Sequence, residues 1–128
     1  MVDLIKVWQN HDVLPVAVTE HGTGKMLMVG YQNKESLALT LKTGEARNCD
    51  SDGENVRRRG AHSGHTQHIR EIKMNCGCDA FLFIVEQKGC VCHTGHSSCF
   101  YHTIYNADEV RREKFGRLIL DSERHNKP

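Results

Sequence analysis

The feature that most constrains this chain is a dense group of cysteines. Five of its six cysteines lie between positions 76 and 99, namely Cys76, Cys78, Cys90, Cys92 and Cys99. Thiolate sulfur suits zinc, which accepts a tetrahedral arrangement of ligands and has no redox chemistry of its own. A single isolated cysteine is more often a small buried hydrophobe, but five in so short a segment predict a metal site.

The spacing of these cysteines bears on the kind of site. In both close pairs, Cys76 with Cys78 and Cys90 with Cys92, one residue separates the cysteines, whereas zinc ribbons and fingers typically use two or more. This favours an open catalytic site, with three protein ligands and a place for water, over a closed structural site. The first pair precedes a predicted strand and the second follows it. Both can therefore reach one ion only if the chain folds back or a second subunit supplies one end.

Charge and hydropathy exclude several classes of protein. The 128 residues carry 17 basic and 16 acidic side chains, a formal net charge of +1, so we expect no nucleic-acid polymer as a partner. Taken alone, the run Arg57-Arg58-Arg59 favours the solvated flank of a turn over a binding patch. No segment resembles a signal peptide or approaches the roughly 20 apolar residues of a membrane span. We therefore expect a cytoplasmic protein without a membrane partner, whose thiols stay reduced.

The hydrophobic pattern predicts a β-rich α+β fold. Residues 14–18 and 25–31 are predicted to form a hairpin around the turn at 21–24. A helix capped by Asn33 should run to about Thr43 and end at Gly44. Further strands are predicted at 67–74, 80–85 and 100–105, with short strands and loops at 47–64 and a helix at 108–120.

Around the cysteines the chain resembles a known family. The run Cys92-His93-Thr94-Gly95-His96-Ser97-Ser98-Cys99-Phe100-Tyr101 resembles the signature of phosphoribosyl-AMP cyclohydrolases, enzymes of histidine biosynthesis. Residues 26–33, 58–60 and 63–67 resemble earlier parts of the same family. The likeness covers residues 14–101 in register, which a chance motif match would not. Residues 1–128 are therefore interpreted as one domain of this kind, with 106–128 as its C-terminal helix and tail.

The resemblance implies an activity, a fold and an assembly. Members of the family open the adenine ring of N1-(5-phosphoribosyl)-AMP by adding water at C6 and breaking the N1–C6 bond. They are homodimers, with zinc at a site between the subunits, and their fold is a folded mixed-sheet pseudobarrel with flanking helices. The family's zinc ligands correspond to Cys76, Cys92 and Cys99. Its active-site histidines correspond to His93 and His65, and its substrate-binding residues to Arg58, Arg59, Ser63, Gly64 and Thr94.

The chemistry of the reaction agrees with these assignments. Opening an amidine ring requires a nucleophile at neutral pH, and zinc lowers the pKa of a bound water to about 7. It also requires a proton for the departing nitrogen, which a histidine beside the metal can deliver. For His93 the alternative is a hydrogen bond that orients Cys92. For His65 the catalytic and structural interpretations are equally open.

Two segments depart from the family pattern. The family has three magnesium-binding aspartates in Asp-Cys-Asp-x-Asp-Ala, whereas this chain has Asn75-Cys76-Gly77-Cys78-Asp79-Ala80 and keeps only Asp79. One carboxylate makes a thin magnesium site unless substrate phosphates complete it. The family also has an aromatic residue followed by Ser-Arg-Ser-Arg, whereas this chain has Cys49-Asp50-Ser51-Asp52-Gly53. The added carboxylates would repel a phosphorylated nucleotide.

The residues leave three functions open. The first is the zinc-dependent phosphoribosyl-AMP cyclohydrolase, acting on its small-molecule substrate. The second is a paralogue that applies the same zinc chemistry to a less phosphorylated, amidine-like heterocycle. The third is a non-catalytic zinc module, in which Cys78 or Cys90 fills the fourth coordination position.

Overall fold

A computed structural model describes residues 2–58, 66–91, 95–109, 116–118 and 120–121. Within them, six strands form one mixed sheet that is flanked by helices. The helices are α1 (Leu4–Asn10) and α2 (Lys34–Thr43). The strands are β1 (Leu14–Glu20), β2 (Met26–Gln32), β3 (Arg47–Cys49), β4 (Val56–Arg58), β5 (Gln67–Met74) and β6 (Phe81–Gln87).

The centre of the sheet is the parallel pair formed by β1 and β6. The strand order is β4-β3-β2-β1-β6-β5, and the other neighbouring pairs are antiparallel. Side chains alternate between the two faces of a strand, so alternate residues of both central strands enter the core. These buried residues are Leu14, Val16 and Val18 of β1 and Phe81, Phe83 and Val85 of β6.

The sheet curls until its edge strand β5 meets the chain just before β3. Glu45, just before β3, forms a bridge with His68 of β5. On either side of it, the Ala46 N–H donates to the Gln67 carbonyl (2.9 Å) and the Ile69 N–H donates to the Gly44 carbonyl (2.8 Å). Since β3 and β5 lie in opposite halves of the strand order, these bonds require a half-barrel. The predicted β-rich α+β class is confirmed.

Helix α2 begins and ends where the sequence predicts. The Asn33 Oδ1 accepts from the Ser36 N–H (2.7 Å), and the Ser36 Oγ accepts from the Asn33 N–H (2.9 Å), which together form a capping box. At the other end Gly44 has a φ of +75° and its N–H donates to the Thr40 carbonyl (2.9 Å). Glycine adopts this left-handed conformation without steric cost.

Most of the predicted strands are confirmed. The predicted segments at 14–18, 25–31, 67–74 and 80–85 correspond to β1, β2, β5 and β6, with bounds that differ by at most two residues. The polar segment after Ala46 contains β3 and β4, as short strands were expected there. Helix α1 was not predicted. It is capped by Asp3, whose Oδ1 accepts from the Lys6 N–H (3.2 Å), and it buries Val7.

The predicted strand at 100–105 is wrong. These residues form no strand, and Phe100 and Ile104 are 61% and 74% exposed. The Cys99 N–H donates to the Leu27 carbonyl at the start of β2 (2.8 Å), after which the chain leaves the sheet. The apolar pattern suggested burial, but in the described structure these side chains lie at the surface. Of the helix predicted at 108–120, residues 116–118 and 120 are helical, while 110–115 and 119 lie outside the described residues.

The cap of α2 gives a test of the fold. Asn33→Ala removes the capping oxygen and also the side-chain amide that donates to the Gly53 carbonyl (2.9 Å). We expect a loss of about 1–2 kcal/mol in the free energy of unfolding, measured by urea denaturation. Asn33→Asp keeps the capping oxygen and should lose less. Equal stability of Asn33→Ala and the wild-type protein would contradict this role.

Candidate functional site

The turn between β5 and β6 carries Cys76 and is built around one asparagine. The Asn75 Oδ1 accepts from the N–H groups of Asp79 and Ala80 (both 3.0 Å), and its Nδ2 donates to the Asp79 Oδ1 (2.6 Å). The Cys78 N–H donates to the Asn75 carbonyl (3.0 Å). These bonds fix residues 75–80 in one conformation and leave Cys76 exposed.

A second segment carries Cys99 and is attached to the start of β2. The Ser98 Oγ donates to the Met26 carbonyl (2.8 Å) and accepts from the Phe100 N–H (3.0 Å). The Cys99 N–H donates to the Leu27 carbonyl (2.8 Å). Cys99 itself is exposed. Its thiol therefore lies at the surface, while the backbone around it is hydrogen-bonded to β2 and to Ser98.

The two cysteines lie at opposite ends of the sheet. Cys76 precedes Phe81, which pairs with Val16, whereas Cys99 is bonded at Leu27, which lies at the register shift between Val18 and Thr19. Two to three residue steps along a strand separate these levels by about 7–10 Å, and two strand spacings add a lateral offset. Two sulfurs bound to one zinc lie only about 4 Å apart, since each Zn–S bond is about 2.3 Å. Within one subunit, Cys76 and Cys99 therefore do not share an ion.

Most of the other predicted site residues are not among those that the structure describes. They are Arg59, Ser63, Gly64, His65, Cys92, His93 and Thr94. Arg58 ends β4, but its side chain is also outside the description. Within the described part of the chain, no three His, Cys, Asp or Glu side chains form a group suited to a metal. The roles given to these residues therefore stay predictions.

Cys78 has a packing role. It is partly buried against the hydrophobic core, and its φ of +52° places it in the left-handed region. Cys90 is also partly buried and precedes Val91, a core residue. These surroundings fit the interpretation of Cys78 as a packing residue better than that of a fourth zinc ligand.

The acidic segment that departs from the family forms the turn between β3 and β4. The Asp50 Oδ2 accepts from the Asn55 Nδ2 (3.0 Å), and the Asp52 Oδ1 accepts from the Glu54 N–H (3.0 Å). Gly53 has a φ of +78°, and a Cβ there would lie 2.5 Å from Val13. The two carboxylates and the glycine therefore each have a structural role within the turn.

A cleft of about 560 Å³ opens between α1 and the turn that carries Cys76. Its polar lining comes from Asp3, Lys6, Asn10 and His11 of the α1 region, and Gly77 and Cys78 line its other side. Neither α1 nor this cleft was predicted from the sequence. The signal was present, because Asp3 is a capping residue and Leu4, Val7 and Trp8 have helical spacing.

Two positioning residues were also missed. Asn75 and Ser98 each precede a predicted zinc cysteine, and each makes the hydrogen bonds that shape the surrounding turn. Asparagine and serine are common in turns because their side chains bond to nearby backbone groups. That signal indicates a turn, but it does not reveal which backbone groups the side chain will reach.

Comparison with known proteins decides the family. The family described as phosphoribosyl-AMP cyclohydrolase matches residues 28–101. The phosphoribosyl-AMP cyclohydrolase of Archaeoglobus fulgidus is 43% identical over 77% of this chain and 91% of its own length. The corresponding enzyme of Haloquadratum walsbyi is 39% identical over 84% of this chain and 83% of its own length. The chain belongs to the phosphoribosyl-AMP cyclohydrolase family. The predicted resemblance is confirmed, and the family is one of enzymes.

A further relative is a longer protein. The histidine biosynthesis bifunctional protein HisIE of Helicobacter hepaticus is 39% identical over 80% of this chain, but the matched part is 44% of its own length. The chain thus spans less than half of this bifunctional relative. Among the described residues, no helix is both long and apolar enough to cross a membrane.

The exposure of the cysteines predicts their order of alkylation. Burial raises the pKa of the Cys49 thiol, so less of the nucleophilic thiolate is present at neutral pH. Cys76 and Cys99 are exposed. In metal-free protein treated with iodoacetamide, peptide mass spectrometry should find, among the described cysteines, Cys76 and Cys99 modified first and Cys49 last. Modification of Cys49 as fast as Cys99 in folded protein would contradict the described burial.

Proposed function

We propose that this chain is a zinc-dependent phosphoribosyl-AMP cyclohydrolase that acts in histidine biosynthesis. The observation that carries the proposal is the family match over residues 28–101, which includes Cys76, Cys92 and Cys99. The relatives from Archaeoglobus fulgidus and Haloquadratum walsbyi, which bear this activity in their names, are matched over most of their length.

The zinc site is proposed to lie between two subunits. Cys92 and Cys99 of one subunit would bind the ion together with Cys76 of the partner subunit. Support comes from the distance between the described cysteines, since Cys76 and Cys99 of one chain are at opposite ends of the sheet. Their exposure also fits, because a thiol that must reach an ion shared with another subunit has to lie at the surface.

Exposed apolar residues supply a surface for such a dimer. Met26, Val29 and Tyr31 project from β2 with 40%, 51% and 40% exposure. Phe100 and Ile104 follow the Cys99 attachment to the same strand and are more exposed still. Apolar patches of this kind on a folded protein commonly mark interfaces. A partner subunit there would cover the run that the sequence pattern suggested was buried.

The bound metal would supply a water of lowered pKa as the nucleophile for the ring carbon. The chain's own residues supply the rest of the chemistry. His93 would hold the proton that passes to the departing ring nitrogen, because an imidazole titrates near neutral pH. Asn75 and Ser98 would hold Cys76 and Cys99 in position through the backbone bonds described above.

The less phosphorylated substrate is a second candidate, favoured by the acidic turn between β3 and β4. Ser51 and Asp52 of this turn are exposed, and Cys49, just before it, pairs with Tyr31, at the end of the sheet that also holds the Cys76 turn. The structural role of Asp50 and Asp52 in their turn weighs against a change of substrate. Comparing kcat/KM for phosphoribosyl-AMP with that for its dephosphorylated nucleoside form decides between the two.

The acid–base role of His93 can be tested without disturbing the metal. His93→Ala should retain zinc, because the three ligands are intact, while kcat on phosphoribosyl-AMP falls by about 10²–10⁴. His21→Ala, in the exposed turn between β1 and β2, is the matched control and should keep wild-type turnover. Unchanged turnover in His93→Ala would reject the role, and absence of turnover in the wild-type protein would reject the proposed activity.

The shared site can be tested by mixing two inactive variants. Cys76→Ala and Cys99→Ala should each lose zinc and turnover when purified alone. In a mixed dimer, one site loses two ligands, whereas the other combines the intact Cys76 of one chain with the intact Cys92 and Cys99 of the other. After unfolding and refolding together, statistical mixing in a two-fold dimer should restore about a quarter of wild-type zinc and activity.

The mixing experiment has a different expected result if the zinc site lies within one subunit. If each subunit held its own zinc, every chain in the mixture would still lack one ligand and nothing would be restored. Cys90→Ala refolded with Cys76→Ala serves as a control for the procedure. Zinc content by elemental analysis and subunit mass by light scattering are measured on the same sample.

A further inference from the structure

In the turn that carries Cys76, the side-chain amide of Asn75 donates to the carboxylate of Asp79. We propose that this amide takes the place of a magnesium ion at the turn, so that the fold of this chain does not depend on that ion. The inference rests on the family membership and on the described turn, and it goes beyond the proposed zinc chemistry. It concerns the positions where the family pattern has three magnesium-binding aspartates, here occupied by Asn75, Gly77 and Asp79.

These three positions converge in space. The Asn75 Nδ2 lies 2.6 Å from the Asp79 Oδ1. A Cβ placed on Gly77 would lie 3.3 Å from the Asp79 Oδ1 and 3.6 Å from its Oδ2. Carboxylates at all three positions would therefore crowd their negative charges together, and a bound cation would be required to offset the repulsion.

In this chain the charges are removed rather than neutralised. Position 77 has no side chain, and position 75 has an amide whose N–H donates to the remaining carboxylate of Asp79. A neutral donor at hydrogen-bond distance gives the carboxylate a partner that needs no external ion.

Two side-chain oxygens of this turn already accept hydrogen bonds. The Asn75 Oδ1 accepts the N–H groups of Asp79 and Ala80, each at 3.0 Å, and the Asp79 Oδ1 accepts the Asn75 amide. Magnesium demands near-octahedral oxygen ligands at about 2.0–2.1 Å and dehydrates reluctantly. Without a substrate phosphate, one carboxylate with an occupied oxygen does not meet this demand, so the residues present do not by themselves fit the ion.

The arrangement also positions Cys76. Asn75 closes the turn by accepting two backbone N–H groups. Cys76 is one of the residues of this turn, and it is exposed to solvent. Asn75 thus acts on the predicted zinc ligand through backbone geometry. Its role as a donor can be separated from its role as an acceptor, because aspartate at this position keeps the acceptor oxygen and replaces the donor with a second, charged acceptor.

The test measures melting temperature in zinc-containing buffer, with MgCl₂ or with KCl at equal ionic strength. The wild-type protein should melt at the same temperature in both salts. Asn75→Asp places two carboxylate oxygens against each other, so we expect a fall of roughly 3–8 °C in KCl and a recovery in MgCl₂. Asn75→Asp with Gly77→Asp adds a third carboxylate and should show the largest difference between the salts.

A reciprocal variant is the matched control. Asn75→Asp combined with Asp79→Asn exchanges donor and acceptor, keeps the net charge and restores the hydrogen bond. It should melt within a degree or so of the wild-type protein and should not respond to magnesium. If Asn75→Asp does not fold in KCl, this reciprocal variant and the wild-type protein still carry the test.

Two results would overturn the proposal. One is a magnesium-specific rise in the melting temperature of the wild-type protein. The other is a reciprocal variant that folds but remains as unstable as Asn75→Asp, since the hydrogen bond would then not be the stabilising element. No arm requires turnover, so a failure of the proposed enzymatic activity would leave these results readable.

Discussion

The parallel pairing of β1 with β6 is the constraint on which the rest of the structure depends. Both strands bury alternate residues in the same core, which fixes their register. The start of β6 therefore lies beside the start of β1. The turn before β6 is thereby placed at one end of the sheet, and the segment attached to β2 at the other. The cysteines that are neighbours in the sequence are thus divided between two surfaces.

This division is the physical basis of the proposed assembly. In the proposed site, a zinc ion that takes ligands from both surfaces would be bound where two chains meet. The closure of the half-barrel by Glu45 and His68 holds the sheet in one shape. In the proposed dimer, ligand positions on two subunits would match only if both chains fold in the same register, which would couple metal binding to correct folding.

The sequence was a good guide wherever local chemistry decides the conformation. The capping box of Asn33 and the left-handed Gly44 define α2 within its own residues, and the alternating residues of β1 and β6 mark their buried faces. It failed for residues 100–105, whose apolar side chains are exposed. An apolar run is predicted to be buried, but the pattern does not say whether the burying surface belongs to the same chain or to another.

By itself, the sequence determined the family, the cysteines expected to bind zinc and the absence of two aspartates that the family pattern carries, because these are matters of residue type and spacing. Only the tertiary structure decided that Cys76 and Cys99 lie apart, that the acidic segment is a self-bonded turn, and that the Asn75 amide reaches Asp79. Such facts depend on the strand pairing of residues distant in the chain and on hydrogen-bond distances, neither of which is written in the order of the residues.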